Sequence, residues 1–236
     1  DKERSFTNYK GSRSDLMIEA SELDLSQIRR CKVFNYTPLS FEFDYPIAKA
    51  AELALAEAHS AGVMTAFDSN YRFPYEDMKV YHAVQDAIYS AQILKLSQDD
   101  IRYFMKEENV FSACEKLLAG NAKIVAFTMG TSGSLLYTHK GWSYRPAYRV
   151  NALDTTGAGD SFMGALIYLL THETDNIEEL SVLDLERIGD FCNACAAAST
   201  MRRGSLLVMP TLSQIEHVLK TAPRIETQFD KIHKTF

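Results

Sequence analysis

The sequence predicts an α/β fold in which helices cover both faces of a mainly parallel sheet. Short apolar runs alternate along the chain with longer amphipathic stretches, a repetition typical of strand–helix–strand units. The length of 236 residues, 46% of them hydrophobic, fits one large α/β domain or two small ones. In sheets of this kind, ligands bind beyond the carboxyl ends of the strands.

Five short apolar runs are predicted to be strands. Several of them are rich in β-branched or aromatic residues, and turn residues flank some of them. The five runs are Lys32–Tyr36, Val63–Phe67, Ala91–Leu96, Ile124–Thr128 and Ser134–Thr138.

Three helices are predicted between these strands. Ile47–His59 is rich in Ala, Leu and Glu, which are strong helix formers, and Gly62 follows it as a stop signal. Met78–Tyr89 and Val110–Leu118 are the other two, and the latter also runs to a glycine, Gly120.

The two ends of the chain depart from this alternation. Arg4–Tyr9 alternates polar and apolar residues, as an exposed strand does, and Ser14–Leu25 is predicted to be an acidic loop that leads into a short helix. The tail Arg224–Phe236 is polar, and its composition fits either a surface helix or a disordered segment.

Composition and charge exclude several classes of protein. The net charge is −6 and there is no long Lys/Arg tract, so we expect no nucleic-acid partner. No apolar run reaches the roughly 18 residues that a membrane-spanning helix needs, and Asp1–Arg4 does not lead into the apolar stretch of a signal peptide. We therefore expect no membrane partner, a cytoplasmic location and reduced cysteines.

The cysteines and histidines do not predict a zinc site. Cys192 and Cys195 form a C-x-x-C pair, but the chain has no second pair, and the surrounding small residues indicate a buried helix. A core role is therefore favoured over metal or redox chemistry. The six histidines show no metal-ligand spacing such as H-E-x-x-H.

The segment Val150–Leu170 carries the strongest chemical signal. After its Gly-Ala-Gly turn, apolar residues recur at the spacing of an amphipathic helix, which therefore begins at the glycines. These apolar residues are Phe162, Ala165, Leu166, Leu169 and Leu170. The first turn presents backbone N–H groups without acceptors, and glycines allow a bulky anion to approach. The segment therefore predicts an anion site suited to a phosphoryl group in transit.

Asp160 falls in that first helical turn and has two interpretations. It could be a general base that accepts a hydroxyl proton beside the anion site, or a carboxylate that only favours the helix dipole. The spacing alone leaves both open. The chain has no G-x-x-x-x-G-K-[ST], which excludes a Walker-type loop, and Gly157-x-Gly159 lacks the third glycine of a dinucleotide site.

Five motifs, in family order, resemble those of the ribokinase-like (PfkB) carbohydrate kinases. Asp154–Phe162 closely resembles the C-terminal signature of that family. Phe67–Arg72 is similar to the D-P-N-x-R motif, with Ser69 in the place of proline, and Lys95–Asp100 stands in the place of N-x-x-E. Thr128–Gly133 is similar to the T-x-G-x-x-G loop. Asn193 with the following alanines resembles the helix beside the adenine, and Arg203-Gly204 resembles the turn after that helix.

The resemblance covers roughly residues 1–220 and implies a ribokinase-like three-layer sandwich. Glu3–Thr7 and Lys95-Leu96-Ser97 resemble the fructokinase branch in particular.

The resemblance also implies roles for the signature residues. Asp160 would be the base that takes a proton from the sugar hydroxyl, and Gly157, Ala158 and Gly159 would form the anion hole. Asp154 and Thr156 would contribute to a site for a monovalent cation, K⁺ in many relatives. The alternative for Asp154 is that it caps the tight turn.

Ser97 and Asp100 would help to organise Mg²⁺ and phosphate, through water, because Mg²⁺ retains much of its hydration. Here the chain departs from the family, since Ser97 replaces the common Asn and Asp100 the common Glu. The alternative for Ser97 is that it caps the helix beginning near Gln98. Both roles are compatible.

The resemblance places ATP beside the third and fifth motifs along the chain. Thr128, Gly130 and Gly133 would line the nucleotide, unless the loop is an ordinary strand-to-strand turn, and Asn193 would lie beside the adenine. Asn70 and Arg72 would contact substrate, with Arg72 as a fork-shaped donor to phosphate or sugar. The alternative for Arg72 is a solvated loop cation.

Part of the family pattern has no counterpart here. The strands that carry a Gly-Gly motif and a sugar-binding aspartate are absent, and Asp1–Tyr9 resembles only the last strand of a small β lid. We assign residues 1–25 to a remnant of this lid with its connection, and residues 26–236 to the nucleotide-binding α/β core. The chain would then be a fragment or an incomplete copy of its protein, and an excised core would expose an apolar edge and not phosphorylate sugar alone.

The functional hypothesis is ATP-dependent phosphorylation of a sugar hydroxyl, most simply the 6-hydroxyl of fructose. The alternatives are a kinase for 2-keto-3-deoxygluconate or another sugar and, in a different class, a non-catalytic fructokinase-like binding subunit. The implied ligands are ATP, Mg²⁺, K⁺ and a small sugar. Relatives that dimerise through the lid suggest a homodimer for the full-length protein.

Overall fold

The computed structural model describes residues 13–70, 77–174, 176–204 and 206–227. The strand predicted at Arg4–Tyr9, the candidate Arg72 and the end of the tail after residue 227 lie outside the described residues. The proposed division at residue 25 therefore stays a prediction.

A single sheet forms the centre of the described fold, with its six strands in the spatial order of the sequence. The strands are β1 Val33–Tyr36, β2 Met64–Asp68, β3 Ile93–Ser97, β4 Ile124–Thr128, β5 Ser134–Thr138 and β6 Gly141–Arg145. Neighbouring strands from β1 to β4 are parallel, whereas β5 and β6 are added antiparallel at the end. The predicted mainly parallel α/β sheet is confirmed.

The five predicted strands are all present, and the bounds of β4 and β5 are those predicted. Strand β6 was not predicted. Only Trp142 and Tyr144 give it large apolar side chains, and it follows β5 after His139 and Lys140, which are not typical residues of a tight hairpin turn. Its pairing with β5 therefore had no clear local signal in the sequence.

The helices follow the strands as expected for crossover connections. They are α1 Leu25–Arg30, α2 Pro46–Ser60, α3 Met78–Ser90, α4 Gln98–Asp100, α5 Val110–Leu118, α6 Ala158–His172, α7 Val182–Ser199 and α8 Leu212–Thr221. Helix α4 continues directly into a π-helical turn, Ile101–Met105. Gly62 adopts a φ of +69° just after α2, as its predicted role in ending that helix requires.

Two hydrophobic cores lie on opposite faces of the sheet, so the molecule has three layers. On one face, α3 and α5 pack against Phe67, Leu94 and Phe127. On the other face, α6, α7 and α8 pack against Ala66 and Ile93. Because side chains alternate along a strand, Asp68 and Lys95 lie on the same face as Ala66 and Ile93, toward α6.

The C-x-x-C pair lies inside the second of these cores. Cys192 and Cys195 are buried on α7, and burial raises the pKa of the Cys195 thiol to about 11 and that of Cys192 as well. A thiol with a raised pKa is a poor nucleophile and metal ligand, which agrees with the core interpretation. Among the helices that the structure describes, none combines the length and the apolar character needed to cross a membrane.

Candidate active site

The predicted motifs converge on one edge of the sheet. Asn70 follows β2, Ser97 ends β3 and Thr128 ends β4, and these three strands are parallel neighbours. The carboxyl ends of parallel strands lie at the same edge, so all three motifs face the same region of the molecule. Asn70 has a left-handed backbone with φ of +38°, and its N–H donates to Asp68 Oδ1 at 3.2 Å.

Helix α6 brings the glycine turn to this edge of the sheet. Gly157 is the N-cap residue, with a φ of +80° that favours glycine, and within the described part of the chain no side chain caps this helix. Side chains do cap α3, α5, α7 and α8. The N–H of Ala158 donates to Thr155 O at 3.4 Å and that of Ser161 to Gly157 O at 2.8 Å, so among the described residues the N–H groups of Gly159 and Asp160 remain for a ligand. Gly159 and Asp160 are exposed, as an anion site and a base require.

The turn before α6 is held by the carboxylate of Asp154. Its Oδ1 accepts the N–H of Thr156 at 2.9 Å, and its Oδ2 accepts the N–H of Gly204 at 3.0 Å. The carboxylate thus joins the glycine turn to the segment after α7. These two hydrogen bonds are the ones expected if Asp154 caps the turn. The cation site of Asp154 and Thr156 stays a prediction.

Ser97 and Asp100 form a reciprocal cap at the start of α4. Asp100 Oδ2 accepts from the N–H and from the Oγ of Ser97, both at 2.6 Å, while Ser97 Oγ accepts the N–H of Asp100. The predicted capping role of Ser97 is therefore confirmed. Asp100 is buried and its Oδ1 has no hydrogen-bond partner among the described residues, which is unusual for a buried carboxylate oxygen.

The predicted nucleotide loop closes the turn between β4 and β5. Gly130 has a φ of +55° and open space around its Cα, whereas Gly133 has a φ of +99° and lies against the backbone of Arg145. A Cβ at Gly133 would come within 2.1 Å of Arg145 O. Asn193, predicted beside the adenine, is buried, and its Nδ2 donates to the same carbonyl oxygen at 2.9 Å. Gly133 and Asn193 thus both fix the end of β6, and the loop is a strand-to-strand turn whatever else it binds.

An ion pair that the sequence analysis did not assign lies beneath the glycine turn. Lys95 Nζ is 2.6 Å from Asp68 Oδ1, and the two side chains are only 8% and 4% exposed. The pair forms because Asp68 and Lys95 are register partners at the carboxyl ends of β2 and β3. A Cβ built on Gly159 would lie 3.4 Å from Lys95 Nζ, so the ammonium group lies against the first turn of α6.

The electrostatics of this pair connect it with the predicted base. Burial raises the pKa of the Asp68 carboxyl above its ordinary value, although Lys95 acts in the opposite direction, and the charge of nearby Asp160 adds to the rise. One feature of the sequence could have indicated this pair. Lys95 lies inside the apolar strand Ile93–Ser97, where a charged side chain needs a buried partner.

The arrangement combines the parts that phosphoryl transfer uses. Unpaired amides and a buried cation meet at one point, and an exposed carboxylate stands beside them. Within the described ranges, no group of three or more His, Cys, Asp or Glu side chains is placed to hold a metal ion.

Comparison with known proteins agrees with this geometry. Residues 1–212 match the family described as pfkB family carbohydrate kinase. The chain belongs to the pfkB carbohydrate kinase family. It is 31% identical over 225 residues to a probable fructokinase-4 of Arabidopsis thaliana, covering 93% of this chain and 68% of that relative. It is 30% identical to fructokinase-2 of Solanum lycopersicum, with 93% and 67% covered.

Solved structures of a fructokinase and of a putative ribokinase share the fold. A fructokinase with bound ATP from Xylella fastidiosa superposes with a TM-score of 0.78 at 22% identity, over 92% of this chain and 70% of that one. A putative ribokinase II from E. coli, in complex with ATP and Mg²⁺, gives a TM-score of 0.74 at 24% identity, over 86% and 63%. The predicted ribokinase-like architecture is thereby confirmed, and the chain is that of a sugar kinase.

Proposed function

We propose that this pfkB-family kinase transfers the γ-phosphoryl group of ATP to the 6-hydroxyl of fructose. The uncapped N-terminus of α6 with exposed Asp160 beside it is the observation that carries the proposal. The fructokinase relatives from Arabidopsis thaliana and Solanum lycopersicum support the choice of sugar. Neither the 2-keto-3-deoxygluconate alternative nor the non-catalytic alternative has a comparable observation in its favour.

The chain's own residues account for the chemical step. The anion hole at Gly157, Ala158 and Gly159 holds the oxygens of the transferred phosphoryl group, and their charge is favoured at a helix N-terminus. Asp160 accepts the proton of the attacking hydroxyl as the new O–P bond forms and the bond to the ADP oxygen breaks. Thr128, Gly130 and Gly133 line the nucleotide, Asn193 holds the end of β6 beside the adenine, and Asn70 and Arg72 contact the substrate.

The residues fit the expected cations in their donor chemistry. Asp100, with a buried carboxylate oxygen that lacks a partner, is suited to hold Mg²⁺ through water, and Ser97 fixes its orientation. Mg²⁺ with ATP would neutralise phosphate charge in this site. Asp154 and Thr156 offer oxygen ligands for K⁺ beside the anion hole, consistent with a hard monovalent cation. In the full-length protein, we propose a homodimer formed through the lid.

The proposal is tested with Asp160→Asn in the full-length protein. A coupled assay of ADP release with fructose should show kcat reduced by at least ~10²-fold, because the base is lost while phosphate binding is retained. ATP affinity, measured by calorimetry, should change less than about threefold, since asparagine preserves shape and the helix amides remain.

Asp86→Asn is the matched control, because Asp86 is an exposed helical carboxylate on α3, in the layer on the other side of the sheet from α6. It should keep the wild-type rate. An Asp160→Asn enzyme with the wild-type rate would refute the general base. ATP binding without turnover of fructose, 2-keto-3-deoxygluconate or ribose would favour a binding subunit instead.

A further inference from the structure

The Asp68–Lys95 pair is more deeply buried than the other ion pairs among the described residues. Its side chains are 8% and 4% exposed, whereas at least one partner in each other pair is more than one-fifth exposed. Removing two charges from water costs a free energy comparable with what their mutual attraction returns. A well-packed apolar pair would stabilise this strand pair at least as well. The pair therefore calls for an explanation beyond stability.

The position of the ammonium group supplies that explanation. Lys95 Nζ lies against Gly159, whose amide is one of the unpaired donors of α6. Ser69 fixes the same strand end, because its N–H and its Oγ both donate to Lys95 O at 3.3 Å. The lysine is thus held at its backbone by Ser69 and at its side chain by Asp68.

We propose that Lys95 supplies a fixed positive charge to the transferred phosphoryl group and that Asp68 is the positioning residue that holds it there. The inference rests on the proposed kinase function. Charge builds on the phosphoryl oxygens during transfer, and a cation fixed in a water-poor site stabilises that charge without reorganisation. The backbone N–H groups carry only partial positive charges, and the ammonium group of Lys95 adds a full positive charge to them.

Gly159 has a defined part in this arrangement. It is a helical residue, and its φ is not in the left-handed region, so backbone freedom does not require glycine there. A Cβ there would lie 3.4 Å from Lys95 Nζ, an ordinary contact distance, so glycine lets the ammonium group face the backbone of this turn with no side chain between them. Lysine suits this position because its charge is compact, whereas the planar guanidinium of arginine is wider.

The first test is Lys95→Met, which keeps the length of the side chain and removes its charge. We expect kcat for fructose to fall about 10²- to 10³-fold, as for the loss of one donor to transition-state charge, with KM for fructose changed less than threefold. Lys123→Met is the matched control, because Lys123 pairs with Glu178 at 3.3 Å before β4, at the opposite edge of the sheet. Its kcat should stay at the wild-type value.

The second test separates catalysis from folding with the double variant Asp68→Asn/Lys95→Met. It leaves no unpaired charge, so its urea midpoint should be equal to or above that of Lys95→Met alone. If the pair only supports the fold, the double variant regains kcat along with stability. If the charge acts on the phosphoryl group, kcat stays low in a stably folded protein, and this is the result we expect.

A binding measurement gives a readout that a structural role would not move. ADP with aluminium fluoride imitates the phosphoryl group in transfer, and Lys95→Met should weaken its binding by calorimetry at least 30-fold, while binding of a non-hydrolysable ATP analogue changes less than threefold. Equal losses for both ligands would overturn the inference.

The outcomes keep the two proposals apart. A wild-type protein that phosphorylates fructose and loses the activity in Asp160→Asn, but not in Lys95→Met, refutes the role of Lys95 and leaves the kinase proposal intact. A wild-type protein that phosphorylates no sugar overturns both.

Discussion

Two of the charged clusters in the described fold invite comparison, one at the middle of the sheet and one at its outer strand. Asp68 and Lys95 form the inner cluster, at the ends of β2 and β3, almost fully removed from water. The outer cluster joins β6 to α7 and to the segment after α8: Arg145 donates to both carboxylate oxygens of Asp190, at 2.6 and 2.8 Å, and Arg224 reaches Asp190 Oδ1 at 2.6 Å.

The two clusters differ in their exposure to water and in the groups that surround them. The three side chains of the outer cluster are 21–30% exposed, so part of their desolvation cost is avoided. The bidentate contact of Arg145 with Asp190 also strengthens the attraction between these two groups. Arg224 also lies over the ring of Tyr148, at 3.8 Å from its centroid, which adds a cation–π contact. The outer cluster is thus built to stabilise, whereas the inner one bears a desolvation cost beside an anion site.

We expect the largest effect from a substitution that disturbs the backbone beside the outer cluster. Gly133→Ala places a Cβ 2.1 Å from Arg145 O at a φ of +99°, so β5 and β6 must separate or the turn must rearrange. We expect a loss of more than ~3 kcal/mol in the free energy of unfolding, from strain and displaced backbone together. Urea unfolding followed by circular dichroism measures it.

Gly130→Ala is the control in the same loop, because Gly130 has a positive φ of +55° but open space for a Cβ. Its expected loss is about 1 kcal/mol. Similar losses for the two alanine variants would show that φ alone matters, and would contradict the close approach of Gly133 to β6.

The next test removes one charge from the outer cluster. Asp190→Asn leaves Arg145 and Arg224 facing each other without the carboxylate, so we expect unfolding free energy to fall by about 1–3 kcal/mol, between the values for exposed and buried pairs. The kcat per folded molecule should stay within threefold of wild type. A kcat loss as large as that of Lys95→Met would erase the functional distinction between the two clusters.

The sequence predicted the site residues around the inner cluster, but it did not predict the ion pairs of either cluster. Asp160 was found because a glycine turn before an amphipathic helix leaves a local signal, whereas Ser97 and Thr128 were found through their resemblance to family motifs; parallel strands bring these sites to one edge. The strands were found for the same reason, as short apolar runs between turn residues.

The ion pairs depend instead on register and packing. Asp68 and Lys95 are 27 residues apart and meet only because β2 and β3 pair in one register, and Arg145 meets Asp190 across 45 residues. The close contact of Gly133 likewise required β6, whose own pattern was too weak to predict. Contacts of this kind follow from the assembled sheet, which short-range periodicity does not determine.

A third ion pair lies at the surface, between Lys116 and Glu107, and we expect it to give the smallest effect. Lys116 donates to Glu107 at 2.6 Å, and Ser112 and the N–H of Asn109 also donate to this carboxylate at the start of α5. Chiefly through the bond from Lys116, these donors lower the pKa of Glu107 from 4.5 to about 2. A lowered folded-state pKa stabilises the fold above the unfolded-state value, and this contribution is lost as pH falls from about 4.5 toward 2.

Glu107→Gln should therefore lower the melting temperature slightly at pH 7, and the difference from wild type should shrink between pH 5 and pH 3. Added salt should shrink it too, because water and ions reach both groups. Differential scanning fluorimetry at matched ionic strength measures both trends. A difference independent of pH and salt would mean that the pair acts by packing rather than by charge, and exposure would then no longer separate it from the buried pair at Lys95.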